Sequence, residues 1–270
     1  MNNNIYKQRA IEQWTKHPIS AHVAKNPEGS KEFFNEIADF RYKIECPWLR
    51  PTFKFEQYQD KKVLEVGVGD GIDHLELAKA GAILSGIDIT PKSIELTKKN
   101  LELHGYKSNL LVADAENLPF EDNSFDVVYS FGVLLSVPNT QKAIDEICRV
   151  LKPSGKAIIS LYHKYSLFWI SVILFDMIIK GGFLRKTVQE RLSEIEYRGG
   201  EAKPLVKVYT RRQVRKMFHK FSKIRIYTRH SDTVFTRSKI DKIIIKPLFG
   251  WLLELLSKRW GWYLIIEAEK

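Results

Sequence analysis

Cysteine is scarce: Cys46 and Cys148 are the only two in 270 residues. They stand far apart, with no paired spacing and no histidine cluster beside them. Neither a disulfide framework nor a zinc site is suggested, and a reducing cytoplasm fits. Long apolar runs are missing too. The opening stretch MNNNIYKQRAIEQW lacks the extended apolar core of a signal peptide, and no later run reaches the roughly 20 residues that cross a bilayer. A soluble or peripheral protein is expected. Acidic residues vanish from one region, because Lys203 to Arg229 carries ten Lys/Arg and no Asp or Glu.

That gap makes the net charge of +11 lopsided. Residues 1–160 hold 20 basic against 22 acidic side chains, and residues 161–270 hold 23 against 10. An anionic partner is implied: a phosphate-bearing substrate, a membrane surface or nucleic acid. Arg211, Arg212 and Arg215 crowd the start of one helix, where positive charge opposes the helix dipole. Guanidinium groups grip phosphate and carboxylate in a forked geometry, so Arg211 and Arg212 are candidate ligands for a phosphorylated or carboxylated small substrate.

What is present is organised around residues 63–88, VLEVGVGDGIDHLELAKAGAILSGID. Val63, Leu64 and Val66 form the apolar run of a central parallel strand, and Gly67, Gly69 and Gly71 follow at once. Glycines there let a ligand approach the backbone, and the helix that follows offers unpaired N–H groups. A nucleotide is the expected guest, with Asp88 at the end of the second strand placed to accept from two ribose hydroxyls. Strands at 62–66, 83–87, 109–113, 125–130 and 156–162 alternate with helices at 71–80, 91–104 and 140–151. Thr90 caps the helix that Pro91 opens, and Lys152-Pro153-Ser154-Gly155 reads as a turn. This rhythm predicts a doubly wound, mostly parallel α/β sheet.

Outside that core, helical patterning at 5–16 and 30–45 suggests a hinged cap over the ligand, broken by Pro18, Pro27 and Gly29. Beyond residue 162 come an apolar stretch from Leu167 to Ile179, a charged helix at about 185–197, and Gly199-Gly200 closing an insertion. A helix capped by Thr210, a strand at 223–230, helical pieces over 240–257 broken at Pro247 and a strand at 263–268 complete the chain.

Glu65 before the glycines, Asp88 after the second strand and Asp114-Ala115 after the third fall in order with SFDVVYSFGVLLSVPNTQKAIDEICRVLKPSGKAIISLY at 124–162. Together they resemble the class I S-adenosylmethionine-dependent methyltransferases, particularly the broad type 11 group that includes quinone-biosynthesis enzymes, over roughly residues 60–162. A dinucleotide-binding dehydrogenase is the competing reading, but its G-x-G-x-x-G is absent because position 72 is Ile. The resemblance implies S-adenosyl-L-methionine as cofactor and no metal. It also implies that Glu65 orders the turn and meets the methionine ammonium while Gly67, Gly69 and Gly71 shape the turn beneath the cofactor. Asp88 would hold the ribose, Ile89 would pack on adenine, Asp114 with Ala115 would take the adenine amino group, and Phe131 would border the methionine end. The expected architecture is a seven-stranded Rossmann-like domain over 59–270, ending in an antiparallel hairpin. A helical cap at 1–58 and a helical insertion at about 163–205 are expected to form the acceptor site.

Many relatives in that group carry a histidine after strand four, where this chain has Leu134-Leu135-Ser136. His163, at the end of strand five, is the remaining candidate for proton acceptor, with a strand-end histidine bonded to a loop as the alternative. Ser130-Phe131-Gly132-Val133 is not the Asn/Asp-Pro-Pro-aromatic element of amino-methylating nucleic-acid enzymes, so nucleic acid is not the expected partner. Methyl transfer to an anionic or partly hydrophobic small molecule is expected. The alternatives are a membrane-surface enzyme acting on a lipid-like or quinone-type acceptor, or a cofactor-binding protein without catalysis. The membrane reading rests on 167–179, on Ile243-Ile244-Ile245 and on Pro247 to Trp251 beside basic residues.

Overall fold

A computed structural model describes residues 3–18, 21–179, 181–196, 202, 204–229 and 246–270. The first central strand, β1 (Lys62–Val66), is buried from Val63 onwards, as a strand covered on both faces must be. Around it lie β2 (Ile83–Asp88), β3 (Asn109–Val112), β4 (Phe125–Phe131), β5 (Leu151–His163), β6 (Val208–Tyr209), β7 (Lys223–Arg229) and β8 (Tyr263–Glu269). The sheet runs β3-β2-β1-β4-β5-β8-β7, parallel from β3 to β5, with β8 antiparallel to both neighbours.

The expected mostly parallel sheet with an antiparallel end is present, with two local differences. An eighth strand, β6, pairs in parallel with Tyr162 and His163 of β5; at two residues it is too short to leave a pattern in the sequence. The anticipated turn at 152–155 is absorbed into β5 by a register shift against β4, with Ser154 at φ +63°.

Helices α4 (Ile72–Lys79), α5 (Pro91–Leu103) and α6 (Thr140–Val150) make the crossovers. Thr90 caps α5 as its sequence announces, the hydroxyl accepting from Ser93 N at 3.3 Å. Gly71 begins α4 at φ +75°, and a Cβ there would come 2.9 Å from Thr97 Cα, so α4 and α5 cross closely only because the residue is glycine.

The N-terminal part contains α1 (Asn3–Lys16), α2 (Lys31–Asp39) and α3 (Leu49–Phe53). Between α2 and α3 the predicted helix over 30–45 changes character: Phe40–Glu45 is π-helical, and Cys46 N donates to Arg41 O at 2.7 Å. That wider turn re-aims Arg41 and Tyr42 towards α4. Phe33, Phe34, Ile37, Leu49 and Phe53 join the same apolar core as the strands.

After β5 come α7 (Leu167–Ser171), π-helical turns at Val172–Ile179, and α8 (Val188–Glu196). The last helices are α9 (Arg211–Met217), capped by Thr210 and Gln213, and α10 (Lys246–Trp260). Pro247 is the second described residue of α10, and the residues before Lys246, where a break at Pro247 would show, lie outside the described residues. Gly199-Gly200 and Ile243-Ile244-Ile245 lie outside the described residues. Among the described residues no helix is long and apolar enough to cross a membrane.

Candidate functional site

Strand alternation decides what can meet. Glu65 pairs with Gly86 and with Tyr129, Phe131 pairs with Ser160, and Tyr162 pairs with Tyr263. These residues, with Asp88 two beyond Gly86, share one face of the sheet, the face on which Trp48 and Phe53 pack.

The glycine-rich turn is pinned by its backbone. Gly67 N and Val68 N both donate to Ile87 O, at 2.8 and 3.1 Å. Gly67 has φ +83° and lies directly beneath Val133, whose side chain any Cβ at this position would overlap. Gly69 N donates to Asp88 Oδ2 at 3.1 Å, while Thr90 N and Thr90 Oγ1 each donate to Oδ1 at 2.9 Å. Asp88 is therefore oriented by the turn it follows, and burial raises its pKa against these bonds. Ile89, next to it, is half-buried.

Across the strand ends, Asp114 Oδ2 accepts from Lys7 Nζ of α1 at 2.6 Å, and its Oδ1 accepts from Glu116 N at 2.9 Å. Lys7 also donates to Glu116 Oε2 at 2.8 Å. Ala115 is buried beside them.

Glu65 is buried and 2.8 Å from His74 Nδ1, with His74 Nε2 2.9 Å from Ser108 Oγ. Burial raises the Glu65 pKa well above its ordinary value and pushes His74 down to about 3. His74 is therefore neutral. Ser108 Oγ in turn donates to Leu84 O at 3.1 Å, so His74 links Glu65 to the backbone of β2. Glu65 thus has a partner of its own below the turn.

Between the glycines, Asp70 is buried and its Oδ2 has no hydrogen-bond partner among the described residues. Burial pushes its pKa up to about 7; Arg41 acts against the rise and Asp73 adds to it. Asp73, in the first turn of α4, is the best satisfied acid in the site. It accepts from Arg41 Nε at 3.0 Å and Arg41 Nη2, from Tyr42 Oη at 2.7 Å and from Tyr129 Oη at 2.8 Å.

Four carboxyl groups, Glu65, Asp70, Asp73 and Asp88, therefore lie along the turn and the two strands flanking it with one guanidinium, Arg41, paired to Asp73, and Asp70 Oδ2 has no partner among the described residues. That surplus fits a ligand carrying positive charge on a nucleoside, and S-adenosylmethionine has both a sulfonium and an ammonium. The residues present fit the cofactor that the sequence resemblance implies.

Beyond β4 the face turns aromatic. Phe131 lies 5.2 Å from Tyr263 and 6.0 Å from Trp48, ring centre to ring centre, and Trp48 lies 5.6 Å from Tyr263. The Arg41 guanidinium covers Phe131 at 4.6 Å. Trp48 Nε1 and Ser160 Oγ are buried here without hydrogen-bond partners among the described residues.

Three candidates read from the sequence lie elsewhere. His163 is on the opposite face from Phe131, buried, with its Nδ1 3.2 Å from Gly261 O; burial lowers its pKa. Arg211 donates to Thr228 Oγ1 at 3.4 Å, and Thr228 pairs with Leu264, which pairs with Leu161, so it too serves the face away from the aromatic wall. Arg212 is exposed. Neither arginine meets the carboxyl cluster. Conversely, Lys7, Arg41, Asp70, Asp73 and His74 went unassigned in the sequence. Asp70 and Asp73 carried a signal, acids inside and just after the glycine turn; Lys7 and Arg41 carried none.

The methyltransferase-domain family model matches residues 64–159. A sterol 4-C-methyltransferase of Caenorhabditis elegans is 37% identical over 108 residues, covering 39% of this chain and 32% of its own length, so the chain spans about a third of that relative. A ubiquinone/menaquinone biosynthesis C-methyltransferase of Geotalea daltonii is 30% identical over 188 residues, covering 62% of this chain and 79% of its own. Among solved structures, a Haemonchus contortus N-methyltransferase bound to S-adenosylhomocysteine superposes with a TM-score of 0.55 at 18% identity, over 83% of this chain and 52% of that one. That likeness is one of fold.

Proposed function

The chain belongs to the class I S-adenosylmethionine-dependent methyltransferases, and from that premise we propose that it methylates a small, partly hydrophobic acceptor seated against the aromatic wall beyond β4. The observation that carries this reading is the wall itself. Trp48, Phe131 and Tyr263 gather at the strand ends beside the carboxyl cluster, and two buried polar atoms, Trp48 Nε1 and Ser160 Oγ, lack partners among the described residues. Flat apolar rings suit an acceptor with rings of its own, and the two orphaned groups suit its oxygen substituents. The relatives named for sterol methylation and for quinone biosynthesis support the same class of acceptor.

In this proposal Asp88 would hold the ribose hydroxyls, Ile89 would pack on adenine and Asp114 with Ala115 would take the adenine amino group. Glu65 and Asp70 would face the methionine ammonium, Gly67, Gly69 and Gly71 would pass beneath the cofactor, and Phe131 would border its methionine end. Bound S-adenosylmethionine supplies an electrophilic methyl group on sulfur. The chain's part is to align the acceptor with that group and keep water away, which the aromatic side chains and the cap accomplish together. His163, bonded to Gly261 O on the other face, would hold the ends of β5 and β8 in register.

A second, finer reading places a lipid-like acceptor at a membrane surface, reached by a cytoplasmic protein that binds there peripherally. It is favoured by the exposed apolar side chains Ile170, Leu174 and Ile178 after β5. In that reading Arg211 and Arg212 would meet anionic headgroups rather than the reacting end of the acceptor. Incubation with methyl-labelled cofactor and separate quinol, sterol and water-soluble acceptor sets tests the class. Label moving into the organic phase is expected, and label confined to water-soluble acceptors would overturn it.

A further inference from the structure

Resting on the methyltransferase reading, we propose that α7 with its π-helical continuation and α10 from Trp251 onward form one docking face for an anionic lipid bilayer, with Arg211, Arg215 and Arg259 as its headgroup-binding cluster.

The apolar half of this face is exposed. Along α7 and its continuation, Ile170, Leu174 and Ile178 recur every four residues and are 42, 46 and 56% exposed, while Phe168 and Val172 are turned into the core. On α10, Trp251 is 69% and Leu255 54% exposed, again four residues apart, with Ser257 buried between the helix and the sheet. Two helices that each bury one side and leave a row of large apolar side chains in water are incompletely covered. Their ends meet: Phe168 at the start of α7 packs on Trp262, just beyond α10, at 4.6 Å between ring centres.

The basic half adjoins the same junction. Arg211 Nη2 donates to Thr228 Oγ1 at 3.4 Å, and Thr228 Oγ1 donates to Ser257 O of α10 at 2.7 Å, two residues before Arg259. Among the described residues Arg211, Arg215 and Arg259 make no ion pair with a carboxylate, although Arg259 lies over the Trp260 ring at 5.2 Å. Arginines that neighbour one another, with an exposed tryptophan among them and apolar rows beside them, match the order of a bilayer surface: phosphates outermost, then the interfacial layer, then acyl chains. A protein partner would need a matching acidic and apolar surface; an anionic bilayer offers both without shape-matching, and attracts each basic residue near it. Tyr162 links this face to the aromatic wall, touching both Trp262, at 4.2 Å, and Tyr263 of the wall, at 5.5 Å, where β5 ends and β8 begins.

Vesicle flotation tests the face, with phosphatidylcholine alone and with added phosphatidylglycerol, at low and high salt, on the full chain. The wild type is expected to float with the anionic vesicles and to lose that binding as salt rises. Arg215→Gln with Arg259→Gln is expected to weaken partitioning roughly 25-fold, about fivefold for each charge removed. Leu174→Asp with Ile178→Asp is expected to abolish it. Calorimetric titration of S-adenosylmethionine into each protein separates the two layers of the reading: all should bind it alike. No flotation at low salt by wild-type protein that binds the cofactor would overturn the docking face alone; a wild type that does not bind the cofactor would overturn the reading beneath it. Flotation that is indifferent to lipid charge and to both double variants would also sink the face. So would a dimer that Leu174→Asp dissociates while flotation is unchanged, because the face would then belong to a second copy.

Discussion

Arg41 and Asp73 join the π-helical turn after α2 to the first turn of α4 by a two-pronged ion pair, in which Arg41 Nε and Nη2 donate to different oxygens of one carboxylate. Tyr42 and Tyr129 complete the acid's bonding, and the guanidinium rests on Phe131. One arginine therefore ties the π-helical turn to both the glycine turn and the aromatic wall.

Breaking that pair from one side leaves a buried charge alone. Arg41→Met is expected to cost about 3–5 kcal/mol, whereas Arg41→Met with Asp73→Leu should recover much of it, as measured by urea unfolding. Arg41 and the hydrogen bonds from Tyr42 and Tyr129 hold the Asp73 pKa below its ordinary value against the opposing effect of burial. The stabilisation is thus full at neutral pH and fades as pH falls through that depressed value, so the gap between wild type and Arg41→Met should narrow in acid.

Lys7 donates to Asp114 Oδ2, and in the proposed site that same carboxylate takes the adenine amino group. In that proposal the two donors compete for one carboxylate. Lys7→Met is expected to tighten S-adenosylmethionine binding by up to about fivefold, the scale of one part-exposed ion pair. Asp114→Asn should weaken it. Isothermal titration of both variants checks the competition, and equal weakening by both would contradict it.

Asp70 gives the cofactor affinity a pH dependence. With its pKa pushed up to about 7, the carboxyl is largely protonated at pH 6 despite Arg41 nearby, and Asp73 favours the same form. A cationic ligand favours the ionised form, so affinity should rise between about pH 6 and pH 8 with proton release on binding. The same raised value means that Asp70 makes the folded protein less stable as pH climbs from the ordinary carboxyl range towards 7. Asp70→Asn should flatten the affinity profile.

Much of this architecture is legible in the residues. Val63 to Val66, the three glycines, Thr90-Pro91 and Thr210 announce their elements because strand burial and helix capping are local. The acids at 88 and 114 likewise fall at strand ends, where a nucleotide-binding sheet presents its ligands. Arg41 is different: its role depends on a π-helical turn that rotates it towards a partner 32 residues away, and Lys7 reaches across 107. Neither pairing leaves a periodic trace. Asp70 and Asp73 stand in plain view within the motif, but their opposite ionisation follows from which of them Arg41 touches. The side on which Arg211 works emerges only from strand alternation carried through β7, β8 and β5.

His163 serves to separate position from chemistry. It lies across the sheet from Phe131, with its Nδ1 at Gly261 O. His163→Gln, which can still donate to that carbonyl, is expected to keep turnover near the wild-type level, while His163→Ala should lower thermal stability. Loss of turnover in the glutamine variant with cofactor affinity intact would restore the histidine as proton acceptor.

The central claim, that the turn from Glu65 to Asp88 together with Asp114 holds S-adenosylmethionine, is tested most directly by calorimetric titration of that cofactor into wild-type protein and Asp88→Ala. The account expects saturable one-to-one binding, weakened about 100-fold or more when Asp88 and its two charge-assisted ribose contacts are removed. Absence of binding to the wild type, or an affinity that Asp88→Ala leaves unchanged, would contradict it.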